Sequence, residues 1–121
     1  MLEDLEFQIN YQYNKNILLF DDITKVIAKE FKTTKKTIIS GRRNGKIVMC
    51  RNFVIYYIYK NMEKKILNEN IIYKIISKYL ERNHLTIRYH FLNVMHLIQN
   101  DSEYKEKFIY INLKFKTNDI I

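Results

Sequence analysis

No proline and only two glycines, Gly41 and Gly45, interrupt 121 residues. These two residue types are the commonest breakers of regular structure. A chain nearly without them favours helices joined by short polar turns. The length suits one domain with a single modest core. Apolar residues make up 47% and charged residues 28%, the balance of a folded globule rather than a disordered chain.

Hydrophobic spacing places the helices. Asp21 or Asp22 can cap a helix with Ile23, Val26, Ile27 and Phe31 on one face. A short helix fits Thr34 to Ser40, burying Ile38 and Ile39, and Gly41 ends it by the usual C-terminal glycine preference. Arg42 to Lys46 then form a basic loop. A long helix follows from about Ile47 to Lys65, with Phe53, Val54, Tyr57, Ile58 and Met62 as its stripe. Asn68 to Asn70 break it. The next helix starts at Ile71 or Ile72 and runs to Tyr79. Asn83 opens another to about Gln99, packed through Ile87, Phe91, Val94, Met95 and Ile98. Asp101 or Ser102 caps the last, which reaches about Leu113.

The two ends read differently. Phe7, Ile9, Tyr11 and Tyr13 alternate with polar residues, and so do Ile109, Ile111, Leu113 and Phe115. Period two marks a half-buried strand. The C-terminal stretch also satisfies helical spacing through Tyr104, Phe108, Ile111 and Phe115. The expected architecture is all-α: a small bundle of about six helices, whose ends could pair as a short β-ribbon. Residues 1–20 form a strand-like or dimer-forming extension, 21–113 the helical domain and 114–121 a tail.

Charge narrows the partner. The formal net charge is +8, and it is unevenly spread. Residues 23–51 carry Lys25, Lys29, Lys32, Lys35, Lys36, Arg42, Arg43, Lys46 and Arg51 against Glu30 alone. Such a cluster points to a polyanion, most often nucleic acid. The longest apolar run, Phe53–Tyr59, is too short for a bilayer, and no signal peptide opens the chain. A single cysteine, Cys50, leaves no internal disulfide, and a cytoplasmic setting is expected.

No cofactor, metal or catalytic constellation is legible. Gly41–Ile47 loosely matches a phosphate-binding loop, but three residues separate its glycines rather than four, and Ile47 stands where the hydroxyl belongs. His84, His90 and His96 recur every six residues, so neighbours point to different helix faces and do not share a metal.

The stretch Lys78–Phe91 is the informative one. A helix ending near Tyr79, a tight turn and a helix from Asn83 describe a helix-turn-helix. Its second helix normally enters the major groove with its first residues nearest the bases. Asn83 and His84 stand there and can donate to and accept from base edges. Arg82 and Thr86 can bond phosphate, as can Lys36 and Lys46. Arg42 and Arg43 on a loop can reach a minor groove. The plain alternative is that Asn83 only caps a helix and that the basic tract is a solvated face.

Ser40-Gly41-Arg42-Arg43, followed by Arg82-Asn83-His84-Leu85-Thr86, resembles motifs of the C-terminal DNA-binding domain of the bacterial replication initiator DnaA, a Trp-repressor-like helix-turn-helix. The resemblance covers about residues 21–113. It implies that Arg43 enters the minor groove and that Arg51 contacts the backbone. It also implies that Asn83, His84 and Leu85 face bases while Thr86 holds phosphate. Leu80 and Glu81 stand where the family has turn glycines. The expected function is sequence-selective binding of double-stranded DNA, without catalysis, in replication initiation or transcription control. The alternative is a protein-interaction or homodimerisation module, built through the terminal segments, that has lost DNA reading.

Overall fold

The computed structural model describes residues 2–117. These form six helices and no strand: α1 (Leu2–Glu30), α2 (Lys35–Ile39), α3 (Gly45–Met62), α4 (Glu69–Leu80), α5 (His84–Asn100) and α6 (Ser102–Thr117). The all-α bundle expected from the breaker-poor sequence is what forms. None of these helices is long and apolar enough to cross a membrane.

The core is built around α3. Residues Met49 to Ile55 are buried without interruption, as are Tyr57 to Tyr59. A helix buried on all sides belongs at the centre of its layers rather than on a surface. Helices α1, α2, α4 and α5 pack directly around it. Aromatic rings fill the remaining space: Tyr59 stacks on Phe91 at 3.9 Å, and Tyr57 meets Phe115 at 4.6 Å between centroids. The Tyr57 hydroxyl donates to Asn112 Oδ1 (2.6 Å), which ties α6 to the centre. Cys50 is enclosed in the same core, and burial pushes its thiol up to about 12.

The N-terminal segment departs from the sequence expectation. Among the described residues there is no strand and no ribbon; α1 is continuous from Leu2, and Asp21 and Asp22 lie inside it rather than at its cap. An alternation over seven residues contains two helical rows, because every fourth residue shares a helix face. Leu5, Ile9 and Tyr13 form the inward row against the core, whereas Phe7 and Tyr11 face out. Lys78 Nζ donates to Asn10 Oδ1 (2.7 Å) and lies over the Tyr13 ring, and Lys65 donates to Asn16 Oδ1 (3.0 Å). These contacts hold the first half of α1 on the bundle. The last helix extends past Leu113 to Thr117, so the expected tail is helical as far as that; residues 118–121 lie outside the described residues.

Helix ends are set without glycine. Lys32 adopts a left-handed conformation (φ 54°), and the Thr33 amide donates back to Ala28 (2.9 Å), which closes α1. Glu81 does the same after α4 (φ 56°), with the Arg82 amide on Ser77 (3.1 Å). Gly41, the expected terminator of α2, has no positive φ. Side-chain caps stand where expected at Asn83 and Asp101, and also at Thr34 and at Asn68, where the expected break instead starts α4 at Glu69; each accepts from a backbone amide in the following turn.

Asp21 joins three helices. Its carboxylate accepts from the Tyr79 hydroxyl (2.8 Å) and from Lys35 Nζ (2.8 Å), and the same hydroxyl lies 2.8 Å from Thr24 Oγ1. Partial burial alone would raise the Asp21 carboxyl. The bonds from Lys35 and Tyr79, with the charges of Lys35 and Lys25, outweigh it and hold the group below its ordinary value. Tyr79→Phe deletes the hub and leaves Thr24 with one partner fewer. Urea unfolding should show a loss of about 1–3 kcal/mol, with a lower midpoint and an unchanged slope.

Candidate nucleic-acid interface

The short α2 ends at Ser40, whose extended backbone (ψ 164°) turns its carbonyl away from the helix. Two arginines meet there. Arg51, in the first turns of α3, donates from Nε to the Ile38 carbonyl (2.8 Å) and from Nη2 to those of Ser40 (2.9 Å) and Arg42 (3.2 Å). Arg82, in the turn before α5, donates from Nη1 to Ile39 (2.9 Å) and Leu80 (3.2 Å), and from Nη2 to Ser40 (2.6 Å). Cations at a helix C-terminus satisfy carbonyls that the helix itself leaves unpaired. The consequence is positional: the α4–α5 turn and the Gly41–Asn44 loop are tied to one carbonyl oxygen.

The turn itself is short. Glu81 occupies the left-handed position where a glycine is usual, at a strain of about 1–2 kcal/mol. The Ser77 hydroxyl donates to the Arg82 carbonyl and closes the turn from the α4 side. Thus α4, the turn Glu81–Asn83 and α5 have the helix-turn-helix order that the sequence suggested.

The expected site residues divide into two groups. Lys36, Arg42, Arg43 and Lys46 are exposed, and none of them forms a salt bridge among the described residues. Leu85 and Thr86 are exposed on the first turn of α5, and His84 beside them is half-buried. Arg51 is corrected: at 5% exposure its guanidinium faces carbonyls, not solvent, so it is a positioning group rather than a backbone contact. Arg82 is half-buried with three carbonyl bonds and takes the same role. Asn83 uses its Oδ1 to cap α5 at the Leu85 amide (2.8 Å), so that oxygen is committed to the helix start. Lys46 lies in the first turn of α3, because Asn44 caps that helix two residues earlier than the spacing of apolar residues implied.

Sequence reasoning missed Arg88 and Tyr89, which are exposed on α5 beyond its first turn. Their signal was available: Leu85, Tyr89 and Leu92 are spaced four and three apart on the face opposite Ile87, Phe91 and Val94. It also missed His90. The imidazole is half-buried with Nδ1 enclosed and unbonded. Burial first, then the charges of Arg51 and Arg82, push it below the ordinary histidine value and keep it neutral. Burial likewise leads in lowering Arg51, followed by the charge of Arg82, but arginine starts so far above neutrality that it stays cationic.

Two outcomes follow. Arg82→Ala should lower stability by about 2–3 kcal/mol in urea titrations. Arg82→Lys should recover less than half, because one ammonium cannot span carbonyls that a planar fork reaches together. The His90 shift makes stability pH-dependent with a defined sign. Its folded value lies below the unfolded value of about 6.5, so on acidification the unfolded chain takes up the proton first. Stability should be flat above that pH and fall below it, and His90→Gln should flatten the slope in unfolding midpoints measured between neutral and mildly acidic buffers.

In comparisons with known proteins, no family model, no curated protein and no solved structure matches this chain.

Proposed function

We propose that this chain is a non-catalytic protein that binds double-stranded DNA with sequence selectivity, in replication initiation or transcription control. The observation that carries the reading is the shared Ser40 carbonyl: through Arg51 and Arg82 the basic loop lies beside the leading turn of α5. A helix-turn-helix docks with that turn in the major groove, and an adjacent basic loop then meets the sugar-phosphate wall or the neighbouring minor groove. The resemblance to the initiator family pointed to the same face, but the proposal stands on placement and charge.

Three contributions are distinct. Lys36, Arg42, Arg43 and Lys46 neutralise phosphates and release counterions, which supplies most of the affinity. His84 and the amide end of Asn83 read base edges, while Leu85 offers methyls that suit an apolar base contact. Arg43, helped by Arg42, senses groove width. Arg51 and Arg82 contact no DNA; they fix the loop.

A second reading has one specific support. Leu85, Tyr89 and Leu92 form an exposed apolar row on α5, which also suits a partner helix. Salt separates the two: phosphate binding weakens steeply with ionic strength, and an apolar contact does not.

Selection of duplexes from a random pool, followed by titration on the selected and a scrambled sequence, tests the proposal. His84→Ala should narrow the gap between the two DNAs by the about 1–3 kcal/mol expected of one base contact. Lys36→Ala should weaken both alike and reduce the salt slope by about one. An unenriched pool, or equal losses on both DNAs for both variants, would reject it.

A further inference from the structure

The outward face of α1 plays no part in the site above. Phe7, Tyr11 and Leu18 follow at spacings of four and seven, so they form one line along the helix, about 16 Å from end to end. All three are exposed, Leu18 at 77%. The Phe7 and Tyr11 rings stack on each other, with centroids 6.3 Å apart and planes 15° apart. They form one wall of an open groove whose other wall is Ile66 and Leu67, the latter fully in solvent. Large apolar groups gathered on one face mark an interaction surface rather than scattered exposure.

Charge along the same helix selects the occupant. Asp4 and Glu6 are exposed near its start, and Lys25 and Lys29 near its end. A second copy laid parallel would set acid on acid and lysine on lysine. Turned end for end, it sets Asp4 opposite Lys25, a pair that the two-fold repeats, and the helix dipoles oppose as well. The register agrees with the packing. Aligning Leu18 with Tyr11 of the other copy also sets Asp4 opposite Lys25. Asp22 then falls opposite Phe7, where a carboxylate can meet the positive edge of the ring.

We propose that α1 is a homodimer interface, in which two copies pair antiparallel and Leu18 of each packs on Tyr11 at the mouth of the other's Phe7–Tyr11–Leu67 groove. The occupant is a second copy because this one face carries both the apolar knob and the reversed charge order that its own groove requires. The sequence had suggested association of the N-terminal segment by strand pairing. The continuous helix replaces that with side-chain packing, and it does not depend on the DNA reading.

Sedimentation equilibrium of the full chain over a micromolar-to-millimolar series provides the test. The wild type should pass from monomer to dimer. Leu18→Glu should weaken association about tenfold or more with helix content unchanged, since the site is on the surface. Lys25→Glu should weaken it, and adding Asp4→Lys to that chain should restore it. Cross-linking supplies a readout that tolerates a misfolded Leu18→Glu. Under oxidation Tyr11→Cys should join Leu18→Cys faster than either joins itself, with the buried Cys50 taking no part. A chain that stays monomeric throughout, a dimer indifferent to both Leu18→Glu and Lys25→Glu, or dominant self-linking of either cysteine variant would overturn the proposal.

Discussion

Two guanidinium groups on one backbone oxygen organise this molecule's basic surface. Arg51 comes from the central helix and Arg82 from the turn between α4 and α5, and both reach the Ser40 carbonyl. Like charges this close repel, so the arrangement persists only because carbonyl oxygens accept six donor contacts around them. Neutral His90 beside the pair avoids adding a third positive charge. The surface loop is thereby governed by buried electrostatics rather than by surface contacts.

That arrangement depends on α3 lying at the centre. Buried on every side, α3 carries Arg51 at its start and stacks aromatic rings along its length against α5 and α6. The Asp21–Tyr79–Thr24 hub fixes α1 to α4, and Lys35 brings in α2 from the same carboxylate. Helices α2 and α3 are therefore anchored by polar contacts in addition to apolar packing, whereas α5 is held by apolar packing and by the Arg82 turn that precedes it.

Most of the helices were legible because apolar spacing and capping side chains are local signals. Asn83 and Asp101 marked starts correctly, since a cap needs only its own next turn. The ends were harder. Lys32 and Glu81 adopt a conformation that favours glycine, and nothing in their side chains announces it. The first half of α1 was misread because two helical rows interleave into an apparent alternation. Within the site, residue type showed where charge lies but not which way it points. Arg42 and Arg43 are exposed as expected, whereas Arg51 turns inward because carbonyls released by α2 lie within its reach. That distinction is tertiary, and only packing makes it.

The clamp on the basic loop acts entirely on main-chain oxygens, at Ile38, Ile39, Ser40 and Arg42. Backbone carbonyls are present whatever amino acid stands there. At Gly41 and Gly45 an added β-carbon would meet no neighbour within 4 Å. The clamp is thus indifferent to which side chains stand at positions 41 to 43, while Ile38 in the core, the Ser40 hydroxyl and the Asn44 cap keep structural duties. Mutation can rewrite its surface chemistry while the scaffold beneath keeps the same shape, which leaves the protein free to evolve new preferences there without renegotiating its fold.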